Sequence, residues 1–105
     1  MAKKTEILVI GTNEQIRETV LRLLNTNPTW QATGVGTNEE AVAKCKETIY
    51  EVLLIGAGLT DELETQLTAK IKAIQPSIQI IPHYGGGSGL LFAEIYLALG
   101  TNNEA

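Results

Sequence analysis

The sequence is poor in the residues that most often carry chemistry: one cysteine, one histidine, one tryptophan and 5% aromatic residues in 105 positions. A lone cysteine, Cys45, excludes an intrachain disulfide and any cysteine-based metal cluster. Ala41, Val42 and Ile49 flank it at helical spacing, which predicts a buried, unreactive thiol, because apolar surroundings raise a thiol pKa. Positive charge is sparse too. Eight Lys and Arg stand against twelve Asp and Glu, a net charge of -4, and no basic cluster extends beyond Lys3-Lys4. Binding to phosphate backbones rests on concentrated positive charge, so no nucleic-acid partner is expected. No run approaches the roughly 20 apolar residues of a membrane span. The start, Met1-Ala2-Lys3-Lys4-Thr5-Glu6, leads into an apolar run too short for a signal peptide. The expectation is a cytoplasmic protein with no membrane contact.

What is present suits an ordinary folded domain. Apolar residues make up 44% and charged residues 19%, and a chain of this length fits a single domain over 1–105. Four short β-type runs alternate with four helix-type runs, the pattern of βα units on a parallel sheet. The strands are expected at Glu6 to Ile10, Gln31 to Gly36, Glu51 to Ile55 and Ile78 to Pro82. The first, third and fourth are almost continuously apolar, as strands covered on both faces are. Gln31-Ala32-Thr33-Gly34-Val35 is more polar and suits an edge. Trp30 and Tyr96 are read as packing residues, since no basic neighbours accompany them.

Each of the first three strands is followed by a helix-start signal. Thr12-Asn13-Glu14-Gln15 and Thr37-Asn38-Glu39-Glu40 both fit the capping box, in which a Thr oxygen accepts a free amide and the acid or amide side chain reaches back. Thr60-Asp61-Glu62 uses the same residue types. The first helix, Glu14 to Asn25, carries an apolar stripe of Ile16, Val20, Leu23 and Leu24. The third, Asp61 to Ile74, carries Leu63, Leu67, Ile71 and Ile74 before Gln75-Pro76 stops it. Both stripes are expected in the core.

The last helix, Gly89 to Leu99, is apolar all round. Leu91, Phe92, Ile95 and Leu99 share one face, while Leu90, Ala93 and Leu97 lie around Glu94 on the other. One helix on one sheet cannot bury both faces, so Leu90, Ala93 and Leu97 are candidate contacts with a partner. Chain-terminal residues folding over them would be the alternative. Ligands of open α/β sheets bind at the carboxyl ends of the strands, which directs attention to Thr12, Asn13, Gly56, His83, Tyr84 and the run Gly85-Gly86-Gly87-Ser88. A glycine-rich loop before a helix can offer backbone amides to an anion. This one lacks the Lys-Ser/Thr ending of a P-loop and the spacing of dinucleotide folds, and a flexible connector explains the same glycines. His83 is the one plausible general base, but no serine or cysteine with a supporting acid accompanies it.

The order Ile7-Leu8-Val9-Ile10, a helix, a polar strand, Glu39-Glu40-Ala41-Val42, then Tyr50-Glu51-Val52-Leu53-Leu54-Ile55 and Ile78-Gln79-Ile80-Ile81 resembles the receiver domain of two-component response regulators over residues 5 to 83. The resemblance implies a three-layer, flavodoxin-like α/β fold with a four-stranded parallel sheet in order 2-1-3-4 and helices on both faces. It also implies where receiver chemistry would sit. The family holds magnesium with acidic residues after the first strand, accepts the phosphoryl group on an aspartate ending the third, and places Ser or Thr at the end of the fourth. This chain has Gly11-Thr12-Asn13, Gly56, and His83 or Tyr84 at those points. Gly56 is a degenerate acceptor position, no metal ligand is supplied before Glu14, and a helix and a strand are missing after the fourth strand. The expectation is a non-catalytic pseudo-receiver, an interaction module of two-component signalling with no cofactor and no metal. It would form a homodimer through the last helix and the fourth-strand edge, which an absent fifth strand would leave unpaired. The alternative is a protein binding a small molecule or anion through Thr12, Asn13, His83, Tyr84 and Gly85 to Ser88.

Overall fold

Apolar residues two apart along a strand lie on the same face, and in this chain both sets along the first strand are apolar, so the strand must be covered on both sides. The computed structural model describes residues 5–56, 60–82 and 95 and shows that arrangement. Its elements run β1 (Thr5–Ile10), α1 (Glu14–Leu24), β2 (Trp30–Val35), α2 (Asn38–Glu47), β3 (Val52–Ile55), α3 (Asp61–Ile74) and β4 (Gln79–Pro82). The four strands form one parallel sheet in the order β2-β1-β3-β4. The polar second strand lies at an edge, as its composition requires, and β1 and β3 fill the centre. Among the described residues no helix is long and apolar enough to cross a membrane.

Two cores sit on either side of the sheet. Leu8, Ile10, Leu53 and Ile55 face α2 and α3, meeting Ala41, Cys45, Leu67 and Ile71. Ile7, Val9, Val52 and Leu54 face the other way and pack with Leu24 of α1, Trp30 and Ile95. Each fully buried Leu or Ile contributes about 1.5–3 kcal/mol, so the central strands hold much of the stability. Ile95 is helical and completely buried, and Trp30 is a packing residue as expected.

Three apolar residues depart from the expected core. Ile16 is 53% exposed and Leu63 43% exposed: each lies in the first turn of its helix, which overhangs the carboxyl end of the sheet and has no strand beneath it. The buried stripe of α1 starts a turn later and includes Leu21, with Val20, Leu23 and Leu24. Ile49 is 78% exposed because α2 ends at Glu47 and Thr48 is already extended, which breaks the helical spacing from Cys45. The thiol is nevertheless buried, and burial pushes its pKa up.

The caps also refine the expectation. At α1 the capping residue is Asn13, not Thr12: Asn13 Oδ1 accepts from the Ile16 N–H at 3.0 Å. Thr37 caps α2 and Thr60 caps α3 as expected, each accepting an N–H three residues on at 3.1 Å. Glu40 reaches back one residue further than a capping box requires, to the Gly36 N–H at 2.8 Å.

The turn after α3 is held by a polar residue in the core. Gln75 is 8% exposed; its Oε1 accepts from the Tyr50 N–H at 2.8 Å. Its Nε2 donates to the Cys45 and Thr48 carbonyls at 2.7 Å each. One carboxamide thereby satisfies the end of α2 and the entry to β3, groups that would otherwise be buried without partners. Lys72 Nζ donates to the Ile78 carbonyl at 2.7 Å and fixes the same turn from the other side. Tyr50, buried beside this clamp, has its phenol pKa raised, by burial first and then by the charge of Glu6, with hydrogen bonds to Thr33 and Thr48 opposing.

Candidate functional site at the carboxyl ends of the strands

The chain runs from β1 outward to β2 on one side and returns through β3 on the other, so the switch in strand order lies between β1 and β3. A crevice for a ligand is expected there. Gly11 and Gly56 terminate the two strands, and the Gly56 N–H donates to the Ile10 carbonyl at 2.8 Å, continuing the ladder by one step. A Cβ on Gly56 would stand 3.2 Å from the Ile10 oxygen and 3.8 Å from Gly11 Cα. The crevice is therefore walled by main chain where a site would need side chains. Among the described residues, neither a nucleophile nor a carboxylate stands at the end of β3.

Thr12 and Asn13 lie in the exposed turn after β1. Asn13 is engaged in capping α1, so its oxygen serves the helix. Among the described residues no three of His, Cys, Asp and Glu converge as a cation site. The other expected site residues, His83, Tyr84, Gly85, Gly86, Gly87 and Ser88, lie outside the described residues, as do Leu90, Ala93 and Leu97.

Among the described residues, Arg17 extends its side chain to this end of the sheet. From α1 its Nη1 donates to the Gly11 carbonyl at 2.7 Å, and its stem crosses β2 where Gly34 leaves room: a Cβ there would come 3.3 Å from Arg17 Cγ and Cδ and 2.5 Å from Leu21 Cδ1. Gly36 does the same for the guanidinium, at 3.2 Å from Nη1. The alternation Gly34-x-Gly36 at the end of β2 was the available signal that a long side chain would lie across the strand. The guanidinium brings a fixed positive charge and no lone pair, so it binds no metal.

The rim carries the opposite sign. The first turns of the three described helices hold Glu14, then Glu39 and Glu40, then Asp61, Glu62 and Glu64, a placement that offsets the positive ends of the helix dipoles. In parallel βα units all these turns gather at one pole. A depression of about 490 Å³ lies at the other pole, between Ile49, Tyr50, Ile74, Pro76 and Ile78.

No family model matches the chain, and no curated protein matches it. Solved structures do. A CheY-like response regulator receiver domain protein from Methanospirillum hungatei superposes with a TM-score of 0.70 at 21% identity, over 93% of this chain and 77% of that one. The receiver domain of the hybrid histidine kinase CckA gives 0.73 at 15% identity, over 90% of this chain and 98% of that one. A structure of an adenylate cyclase from Rhodopirellula baltica gives 0.68 at 19% identity, over 92% and 70%. At such identities the likeness establishes the fold, which is that of the CheY-like receiver domains.

Proposed function

We propose that residues 1–105 act as one non-catalytic interaction module of the receiver type that accepts no phosphoryl group. The observation that carries this reading is the side-chain-free residue at the end of β3: Gly56 offers no side-chain oxygen, and its N–H is spent on the Ile10 carbonyl. A receiver that cannot be switched by phosphate retains its surfaces, and the surface we assign to association is the segment from Gly89 to Leu99. The burial of Ile95 against the β-sheet and α1 supports this. If the Gly89–Leu99 segment is the helix that its sequence predicts, 100° per residue would put Leu90, Ala93 and Leu97 roughly 140–160° round from Ile95.

The fourth strand would lie beside that surface in a homodimer. The alternative, a small-molecule or anion site at Thr12, Asn13, His83, Tyr84 and Gly85 to Ser88, is weighed down by the acidic first turns around that pole, whose field opposes an incoming anion. Light scattering over a range of concentrations tests the preferred reading. The wild type is expected to be a dimer, and the Leu90→Glu/Leu97→Glu variant a folded monomer. A wild type that stays monomeric at high concentration refutes it, and a melting temperature raised by nucleotides or phosphorylated metabolites would favour the alternative.

A further inference from the structure

Arg17 stands where a helix disfavours positive charge. It lies near the start of α1 (Glu14–Leu24), close to the positive end of the helix dipole, which repels a cation there. The other described Lys and Arg residues, Arg22, Lys44, Lys46, Lys70 and Lys72, all lie in the second halves of their helices, where the dipole favours them. β2 also gives up two side chains to admit Arg17. Neither Gly34 nor Gly36 has the left-handed backbone that calls for glycine, so close approach explains them. A Cβ on Gly34 would stand 3.3 Å from Arg17 Cγ and Cδ, and one on Gly36 would stand 3.2 Å from Nη1.

What surrounds the guanidinium is negative charge. Glu14 precedes Arg17 on α1 by a spacing that makes side chains neighbours on a helix. Glu40 comes from α2, which packs on the opposite face of the sheet from α1, and reaches the same end of β2. Its Oε1 accepts from the Gly36 N–H at 2.8 Å and would lie 3.8 Å from the Gly36 Cβ that stands 3.2 Å from Arg17 Nη1. The two charged groups thus flank Gly36. Nη1 is bonded to the Gly11 carbonyl at 2.7 Å, so the guanidinium also touches the end of β1. Glu39, Asp61, Glu62 and Glu64 add to the negative potential of that pole.

We propose that Arg17 is the internal counter-ion of the carboxyl pole, a positioning residue whose charge holds Glu40 and the start of α2 to α1 around the edge of β2. Carboxylates at helix N-termini gain from the dipoles but repel one another where several helices start side by side. A fixed cation in their midst offsets that repulsion. The position is costly for an arginine on its own helix and costs β2 two side chains; attraction to the carboxylates of two layers is what offsets both.

Two variants of the full chain separate charge from contact. Arg17→Gln keeps an N–H donor and loses the charge, whereas Arg17→Lys keeps the charge and loses the fork. Arg22→Gln, at an exposed arginine in the last turn of the same helix, controls for the change in net charge. Unfolding by urea, which is uncharged, is measured in about 10 mM buffer and in about 1 M sodium chloride, between which the Debye length falls from about 30 to about 3 Å. At low salt the unfolding equilibrium constant of Arg17→Gln should exceed the wild-type value about five- to tenfold, and most of that excess should vanish at high salt. Arg17→Lys should keep most of the low-salt stability. Glu40→Gln, which retains an acceptor for the Gly36 N–H, should cost less in the Arg17→Gln background than in the wild type. Should Arg17→Gln fail to fold at low salt, recovery of its circular dichroism on adding salt supports the proposal, and no recovery counts against it. An Arg17→Gln deficit that salt leaves unchanged overturns it, because the arginine would then act by packing and hydrogen bonding alone. So does an equal salt-dependent deficit in Arg22→Gln, or an Arg17→Lys variant no more stable at low salt than Arg17→Gln.

Discussion

Replacing Gln75 by leucine should be among the most damaging single changes in the chain, although sequence alone marks the residue as no more than a helix stop. The side chain makes three hydrogen bonds to the main chain, to the Tyr50 N–H and the Cys45 and Thr48 carbonyls. Each is worth about 1 kcal/mol net, and a buried partner left unsatisfied costs about 1–3 kcal/mol. Leucine fills a similar volume, so little cavity term is added. The sum is about 3–5 kcal/mol, a large share of the roughly 5–15 kcal/mol that holds a domain together. It corresponds to a fall in melting temperature of about 12–20 °C at about 4 °C per kcal/mol.

Urea unfolding followed by circular dichroism is the direct assay, with the slope unchanged and the midpoint lowered. Gln75→Glu sharpens the test. Facing two carbonyls, the new carboxyl would have a folded-state pKa above its unfolded value of about 4.3. Its stabilising, protonated form is fully present below that value and lost as pH rises through the folded one. The deficit relative to the wild type at the same pH should therefore shrink as pH falls from 7 towards 4. A Gln75→Leu cost under about 1 kcal/mol, or a Gln75→Glu deficit independent of pH, would refute the reasoning.

Two further outcomes follow from the same contacts. Gly34→Ala puts a methyl 2.5 Å from Leu21 Cδ1; it should cost about 1–2 kcal/mol by overpacking. Because the obstructing atom ends a movable side chain, a Gly34→Ala/Leu21→Ala cycle should show favourable coupling; strict additivity would contradict the contact. For Cys45 and Tyr50, burial raises the folded pKa, so the stability each contributes is present below its unfolded value, about 8.5 and 10, and is lost as pH rises through the folded one. The guanidinium midpoint should decline above about pH 8.5, and Cys45→Ala should remove the first part of the decline; a flat or rising profile would contradict it.

Element order, the edge position of β2 and the two covered faces of the sheet were legible in local pattern, from continuous apolar runs in β1 and β3, a polar run in β2 and capping words before each described helix, whereas the full strand order came from the resemblance to receiver domains. What the pattern hid was set by three-dimensional neighbours. Periodicity placed Ile16 and Leu63 in the core since it cannot see that a first turn overhangs the sheet. It tied Ile49 to Cys45 since it cannot see α2 unwinding at Thr48. Asn13 and Thr12 are both good caps, and only the backbone decides between them. The long-range roles of Gln75 and Arg17 belong to contacts with distant main chain that spacing does not encode; the paired glycines of β2 hinted at the second. At the site, the absence of an acid at Gly56 could be read directly, whereas the use of the Gly56 N–H in the ladder could not.

The central claim is that nothing at the end of β3 takes up phosphate. Incubating the wild-type chain with magnesium and a small-molecule phosphodonor, then weighing the intact protein, addresses it with no partner required. The account predicts an unmodified mass at every magnesium concentration. A phosphoryl adduct whose yield rises and saturates with magnesium would contradict it.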